Sequence, residues 1–114
     1  MITAGYIRQN LDHLDDDLLM YSSCYSIEGS IEILNNGNIN DFEAINGIHY
    51  NESSIIADYS FDNIYKPETI GELHAIIDQY YASNNVEMGR YIDDGYVYAT
   101  YKHCFYNDKV IVFV

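Results

Sequence analysis

Apolar residues recur at spacings of three and four from Ile7 through Leu11, Leu14 and Leu18 to Tyr21, with Tyr25 one further turn along. That period places them on one stripe of a helix, and the Thr3 hydroxyl is suited to cap its first turn, so the pattern predicts a helix from Thr3 to Ser23. Asp12, Asp15, Asp16 and Asp17 would then fan around the remaining circumference. Asp12 and Asp16 fall one turn apart with no basic residue following to pair with them, and aspartates in mid-helix have poor propensity and repel one another. Such a helix gives up stability in order to carry negative charge.

From Ser26 to Leu34 the pattern reads as a strand, with Ile27, Ile31 and Ile33 interrupted by Gly29, and Asn35-Asn36-Gly37 reads as the turn of a hairpin. Asn38 to Asn51 is ambiguous: Asp41 can cap a short helix through Phe42, Ala44 and Ile45, yet Gly47 closes it after less than two turns. Ser54 to Phe61 is a strand by its central Ile55, Ile56 and Ala57 and its alternating Tyr59 and Phe61, with Asn63 to Pro67 as the exit. Thr69 followed by Glu72 forms a capping box ahead of Ile70, Leu73, Ile76, Ile77, Tyr80 and Tyr81, which predicts a helix from Thr69 to Ala82. Val86 to Ile92, Tyr96 to Phe105 and Lys109 to Val114 read as three strands, separated by turns at Asp93-Asp94-Gly95 and Asn107-Asp108. The fold class these elements predict is α+β, two helices packed on a mainly antiparallel sheet of about five strands, in a single compact domain spanning 1–114.

Charge changes the picture from architecture to partner. Eighteen Asp or Glu stand against five Lys or Arg, a net of −13 on a 13.2 kDa chain. Spread over a folded surface of roughly 6,400 Å², this repels nucleic acid and anionic membranes and attracts proteins whose working surface is positive. The partner expected is therefore a protein with a basic nucleic-acid-binding surface, without direct contact to nucleic acid or membrane. The apolar fraction of 48%, the 13 Tyr and the 4 Phe exclude a disordered acidic tail. The start of the chain lacks a charged region followed by an apolar run, and no stretch approaches 18 apolar residues, so the chain reads as soluble and cytoplasmic.

Catalytic chemistry finds no constellation. His13, His49, His74 and His103 are scattered, and none of the zinc, phosphate-loop or nucleophile-elbow motifs is present. His103 and Cys104 are neighbours on a predicted strand and would point to opposite faces. Cys24 and Cys104, far apart in sequence, read as free buried thiols. Asp93-Asp94-Gly95 could attract a hard cation but matches turn chemistry better. No enzyme activity, metal or cofactor is expected.

The tyrosines point to protein contact. Tyr96, Tyr98, Tyr101 and Tyr106, with Tyr91, exceed what one small core encloses on one face; sheet propensity explains many of them, and exposed rings beside Asp93, Asp94 and Asp108 would explain the rest as a docking surface. The acidic candidates for partner binding are Asp12, Asp15, Asp16, Glu28, Glu32, Asp93 and Asp94. The aromatic candidates are Tyr96, Tyr98, Tyr101 and Tyr106.

This profile resembles, at the level of class, the small acidic anti-restriction and anti-CRISPR proteins of phages and other mobile elements, several of which act as nucleic-acid mimics. The resemblance implies a stoichiometric inhibitor of a host-defence protein, acting in the host cytoplasm, and carries over no site residue. The alternative is an acidic adaptor or regulatory domain, homodimeric through a sheet edge or its tyrosine-rich hairpin. A small metal-dependent enzyme is the third reading.

Overall fold

The computed structural model describes residues 1–60, 66–80, 83–92, 95 and 97–114. Along them run α1 (Ala4–Asn10), β1 (Leu19–Ser22), α2 (Ile27–Asn35), β2 (Glu43–Tyr50), β3 (Ser54–Ser60), α3 (Ile70–Tyr80), β4 (Glu87–Ile92), β5 (Val97–Thr100), β6 (Cys104–Tyr106) and β7 (Val110–Phe113), with a short 3-10 turn at Ile39–Asp41. The strands form one curled, seven-stranded sheet in the order β5-β4-β3-β2-β1-β7-β6. β1 lies parallel to β7 and β3 parallel to β4, while the other neighbours are antiparallel. Two helices on a five-stranded antiparallel sheet is thus the wrong architecture: the sheet is mixed, larger and curled, and there is a third helix.

Three local readings account for that correction. Thr3 does cap α1, its Oγ1 accepting the Tyr6 N–H at 3.0 Å, but the helix stops at Asn10 instead of running to Ser23. Asp15 Oδ1 accepts the Asp17 N–H at 2.9 Å, so the aspartate run forms an Asx turn. Short carboxylates compete with helical bonding for nearby backbone donors, which is why such a run favours a turn. Beyond it Leu18-Leu19-Met20-Tyr21 is an unbroken apolar run, suited to a strand covered on both faces, and it becomes β1. Ile7, Leu11 and Leu18 of the expected stripe are all buried, though on different elements.

The segment read as a strand, Ser26 to Leu34, is instead α2. Ser26 Oγ accepts the Gly29 N–H at 3.1 Å as an N-cap. At the other end the Gly37 N–H bonds the Leu34 carbonyl and the Asn38 N–H bonds the Ile33 carbonyl. With Gly37 at φ 75°, that is a Schellman cap, so Asn35-Asn36-Gly37 ends a helix and does not turn a hairpin. The third difference lies at Tyr96 to Phe105, expected as one strand. Its described part divides into β5 and β6 at opposite edges of the sheet, because the Tyr101 N–H bonds Met88 while the Lys102 and His103 N–H groups bond Val114.

Elsewhere the local signals hold. Thr69 Oγ1 accepts the Glu72 N–H at 3.2 Å ahead of α3, and the expected end of that helix at Tyr81 and Ala82 lies outside the described residues. β3, β4 and β7 fall within the segments expected as strands; Phe61, Asn63 to Tyr65, Asp93, Asp94 and Tyr96 are likewise outside the described residues. The ambiguous stretch resolves into the 3-10 turn and then β2.

Strand alternation divides the core in two. On the face covered by α1 and α3, Met20, Ile45, Ile55, Met88, Ile111 and Phe113 pack with Ile7, Leu73 and Ile77. On the other, Leu34 of α2 packs with Phe42, Val110 and Val112. No helix among the described residues is long and apolar enough to cross a membrane.

Candidate functional site

The segment from Leu11 to Leu18, between α1 and β1, holds four aspartates at the surface. Asp12, Asp15, Asp16 and Asp17 are all exposed, while Leu11 and Leu18 at either end are buried and pin the segment to the core. Its backbone is tied to α3: the Gly71 N–H bonds the Asp16 carbonyl at 3.0 Å, and the Ile70 N–H bonds the Leu18 carbonyl at 2.8 Å. His74 of α3 donates from Nε2 to the Leu11 carbonyl at 3.3 Å. Between these elements Arg8, Asp12, Asp16, His74 and Asp78 line a cleft of about 420 Å³. Arg8 is held there by Asn84 Oδ1 at 3.0 Å and the Ile77 carbonyl at 3.4 Å. A second groove beside it is lined by Asp15, Asp17 and Asp108 but also by Lys66 and Lys109, which temper its field.

Tyrosines reach the same side of the molecule. Tyr106 on β6 is 46% exposed and meets the His13 ring edge-on, with centroids 6.3 Å apart. Tyr6 on α1 is 37% exposed; partial burial, then the neighbouring Cys104 thiol and Tyr106, raise its phenol above the ordinary value. Asp12, Asp15, Asp16 and Tyr106 are therefore brought together, with Tyr6 as a neighbour that sequence reasoning passed over. A tyrosine outside the predicted strands gave no period to mark it.

The remaining candidates lie elsewhere. Glu28 and Glu32 are exposed on α2, across the sheet from α1 and α3. Tyr98 is on β5, at the edge opposite β6, half-buried over Gly89 with its hydroxyl donating to the Glu87 carbonyl at 3.3 Å. Tyr101 is 2% exposed and donates to Ser22 Oγ at 2.7 Å, so its ring offers no docking surface. Asp93, Asp94 and Tyr96 lie outside the described residues. Both cysteines are free, with Cys24 exposed where burial was expected and Cys104 half-buried.

A second polar group was not anticipated from sequence. On the face bearing α1 and α3, Ser22 and Glu43 face each other across the β1–β2 ladder. Arg90 of β4 donates to Ser22 Oγ at 2.9 Å, stands 3.5 Å from Glu43 Oε2 and packs over the Tyr59 ring at 4.9 Å from its centroid. Glu43 is 5% exposed, and its Oε2 is buried without a hydrogen-bond partner among the described residues. Burial raises the Glu43 carboxyl above its usual range, against the opposing pull of Arg90 and a hydrogen bond with Cys24. Burial likewise raises the Tyr101 phenol. A glutamate two residues before Ile45 on a strand shares its face, and that parity was the one signal available.

Among the described residues, no three His, Cys, Asp or Glu side chains converge to hold a metal ion. No family model, curated protein or solved structure matches this chain.

Proposed function

We propose that this chain is a stoichiometric protein-binding inhibitor of the anti-restriction or anti-CRISPR kind, whose acidic face occupies the basic nucleic-acid-binding channel of a defence protein. The observation that carries the reading is the concentration of Asp12, Asp15, Asp16 and Asp17 in one short exposed segment beside the exposed rings of Tyr6 and Tyr106. Carboxylates supply the long-range field that speeds encounter, and tyrosines supply short-range packed area that slows release. The cleft between Asp12, Asp16 and Asp78 has room for a cationic side chain of the partner. Arg8 also lines that cleft, so its three carboxylates outnumber the one internal guanidinium there.

Competition binding tests the reading. A partner recovered from a nucleic-acid-processing lysate is expected to be displaced by duplex or single-stranded nucleic acid. Its association should slow steeply with salt, as screening shortens from about 10 Å at 0.1 M to about 3 Å at 1 M. A partner that binds equally well with its channel already filled would contradict mimicry and favour the adaptor reading.

A further inference from the structure

Arg90 makes contacts that a flat sheet forbids. Three inter-strand steps of about 4.8 Å would hold β4 roughly 14 Å from β1, yet Arg90 of β4 bonds Ser22 of β1 at 2.9 Å. The guanidinium therefore ties the curl together, touching Ser22 on β1, Glu43 on β2 and the Tyr59 ring on β3. Ser22 Oγ accepts from both Arg90 and the Tyr101 hydroxyl, which fills its two lone pairs. Glu43 is the weak member: at 3.5 Å its Oε2 pairs with Arg90 without a hydrogen bond and is otherwise buried with no donor among the described residues. A carboxylate so placed carries a desolvation cost that its neutral form avoids.

We propose that Glu43 is a proton-operated latch on the curl of the sheet. Protonated, it leaves Arg90 seated on Ser22 and the end of the sheet closed. Ionised, it must be hydrated, and the contacts joining β4 to β1 and β2 loosen to admit water. The titratable and charged groups facing it among the described residues are Arg90 of β4, Tyr59 of β3, Tyr101 between β5 and β6, and Cys24 just after β1. Arg90 and the Cys24 hydrogen bond favour the ionised form, whereas burial raises the Tyr101 phenol and keeps it neutral. Because the fold holds the Glu43 proton more tightly than the unfolded chain does, this contribution to stability is complete below the ordinary glutamate value, about 4.3. It is lost as pH climbs through the raised folded value.

The test compares the full chain with Glu43→Gln by urea unfolding and by amide protection factors at pH 5 and pH 8. The wild type is expected to lose protection around Ser22, Glu43 and Arg90 on going to pH 8, by about tenfold per pKa unit of displacement. Glu43→Gln should keep its acid-side protection there and show only the drift due to surface carboxylates. Equal pH slopes in both proteins would overturn the latch. If the variant does not fold, carbon-13 titration of the wild-type Glu43 carboxyl decides: a midpoint above the ordinary glutamate range supports the latch, and one at or below it overturns it.

Discussion

Glu43 and the aspartates of the α1–β1 segment carry one functional group in opposite surroundings. Asp12, Asp15, Asp16 and Asp17 are exposed to water, and each adds to a field that a partner can feel. Glu43 lies on the covered face of the sheet, where burial opposes ionisation and the Arg90 guanidinium and the Cys24 hydrogen bond offset that only in part. The exposed group is therefore free to serve association and contributes little to stability, whereas the buried one affects stability and is invisible to a partner. Net charge counts the two alike; position separates them.

The largest test of that contrast removes the cation. Arg90→Ala should destabilise the fold more at pH 8 than at pH 5, since it removes the cation that partly offsets the ionised Glu43, and the loss should shrink on acidification as Glu43 takes up its proton. Urea unfolding at two pH values measures it; a loss that is small and independent of pH would place Glu43 with the surface acids. Next comes the core that both regions share. Leu73→Ala, fully buried beneath the aspartate segment, should cost about 2–5 kcal/mol. Leu14→Ala, only half-buried within that segment, should cost well under half as much, and equal losses would mean that the segment is packed as tightly as α3.

A smaller effect should strike one region alone. A Cβ at Gly71 would stand 2.9 Å from Asp16 Cβ and 3.0 Å from the Asp16 carbonyl oxygen. Gly71→Ala is therefore expected to displace the aspartate segment at a cost of about 1–3 kcal/mol while NMR shifts around Glu43 and Arg90 stay in place. Movement of both sets together would show the two regions to be mechanically coupled. Least of all in stability terms, Asp12→Asn and Asp16→Asn should each change unfolding by less than about 0.5 kcal/mol. Their effect should appear in the association rate with a basic partner and its salt dependence. Unchanged kinetics would remove these residues from the docking face.

Local chemistry was legible wherever one residue answers another a few positions away. Thr3 and Thr69 cap the helices that follow them, and Gly37 and Gly95 take the left-handed backbone expected of glycine at those turns. α2 carried the same kind of signal, with Ser26 before it, Asn36-Gly37 after it and Ile27, Ile31 and Leu34 at helical spacing. Its β-branched isoleucines and Gly29 argued for a strand, and two caps outweighed that propensity. At the candidate site, the exposure of Asp12, Asp15 and Asp16 followed from their type. The separation of Tyr98 from Tyr106 did not, because nothing within Tyr96 to Tyr106 reveals that β5 and β6 belong to opposite edges of one sheet.

The sequence by itself determined the charge, the caps, the turns and the set of apolar residues available for a core, since each depends on a residue's own chemistry or on neighbours within a turn. Only the tertiary structure decided which strands are neighbours and which carboxylate is buried. β1 pairs with β7 from the far end of the chain, and Ser22 meets Arg90 across 68 residues. Such contacts depend on the packing of every intervening element, so no short window of sequence contains the energy that selects them.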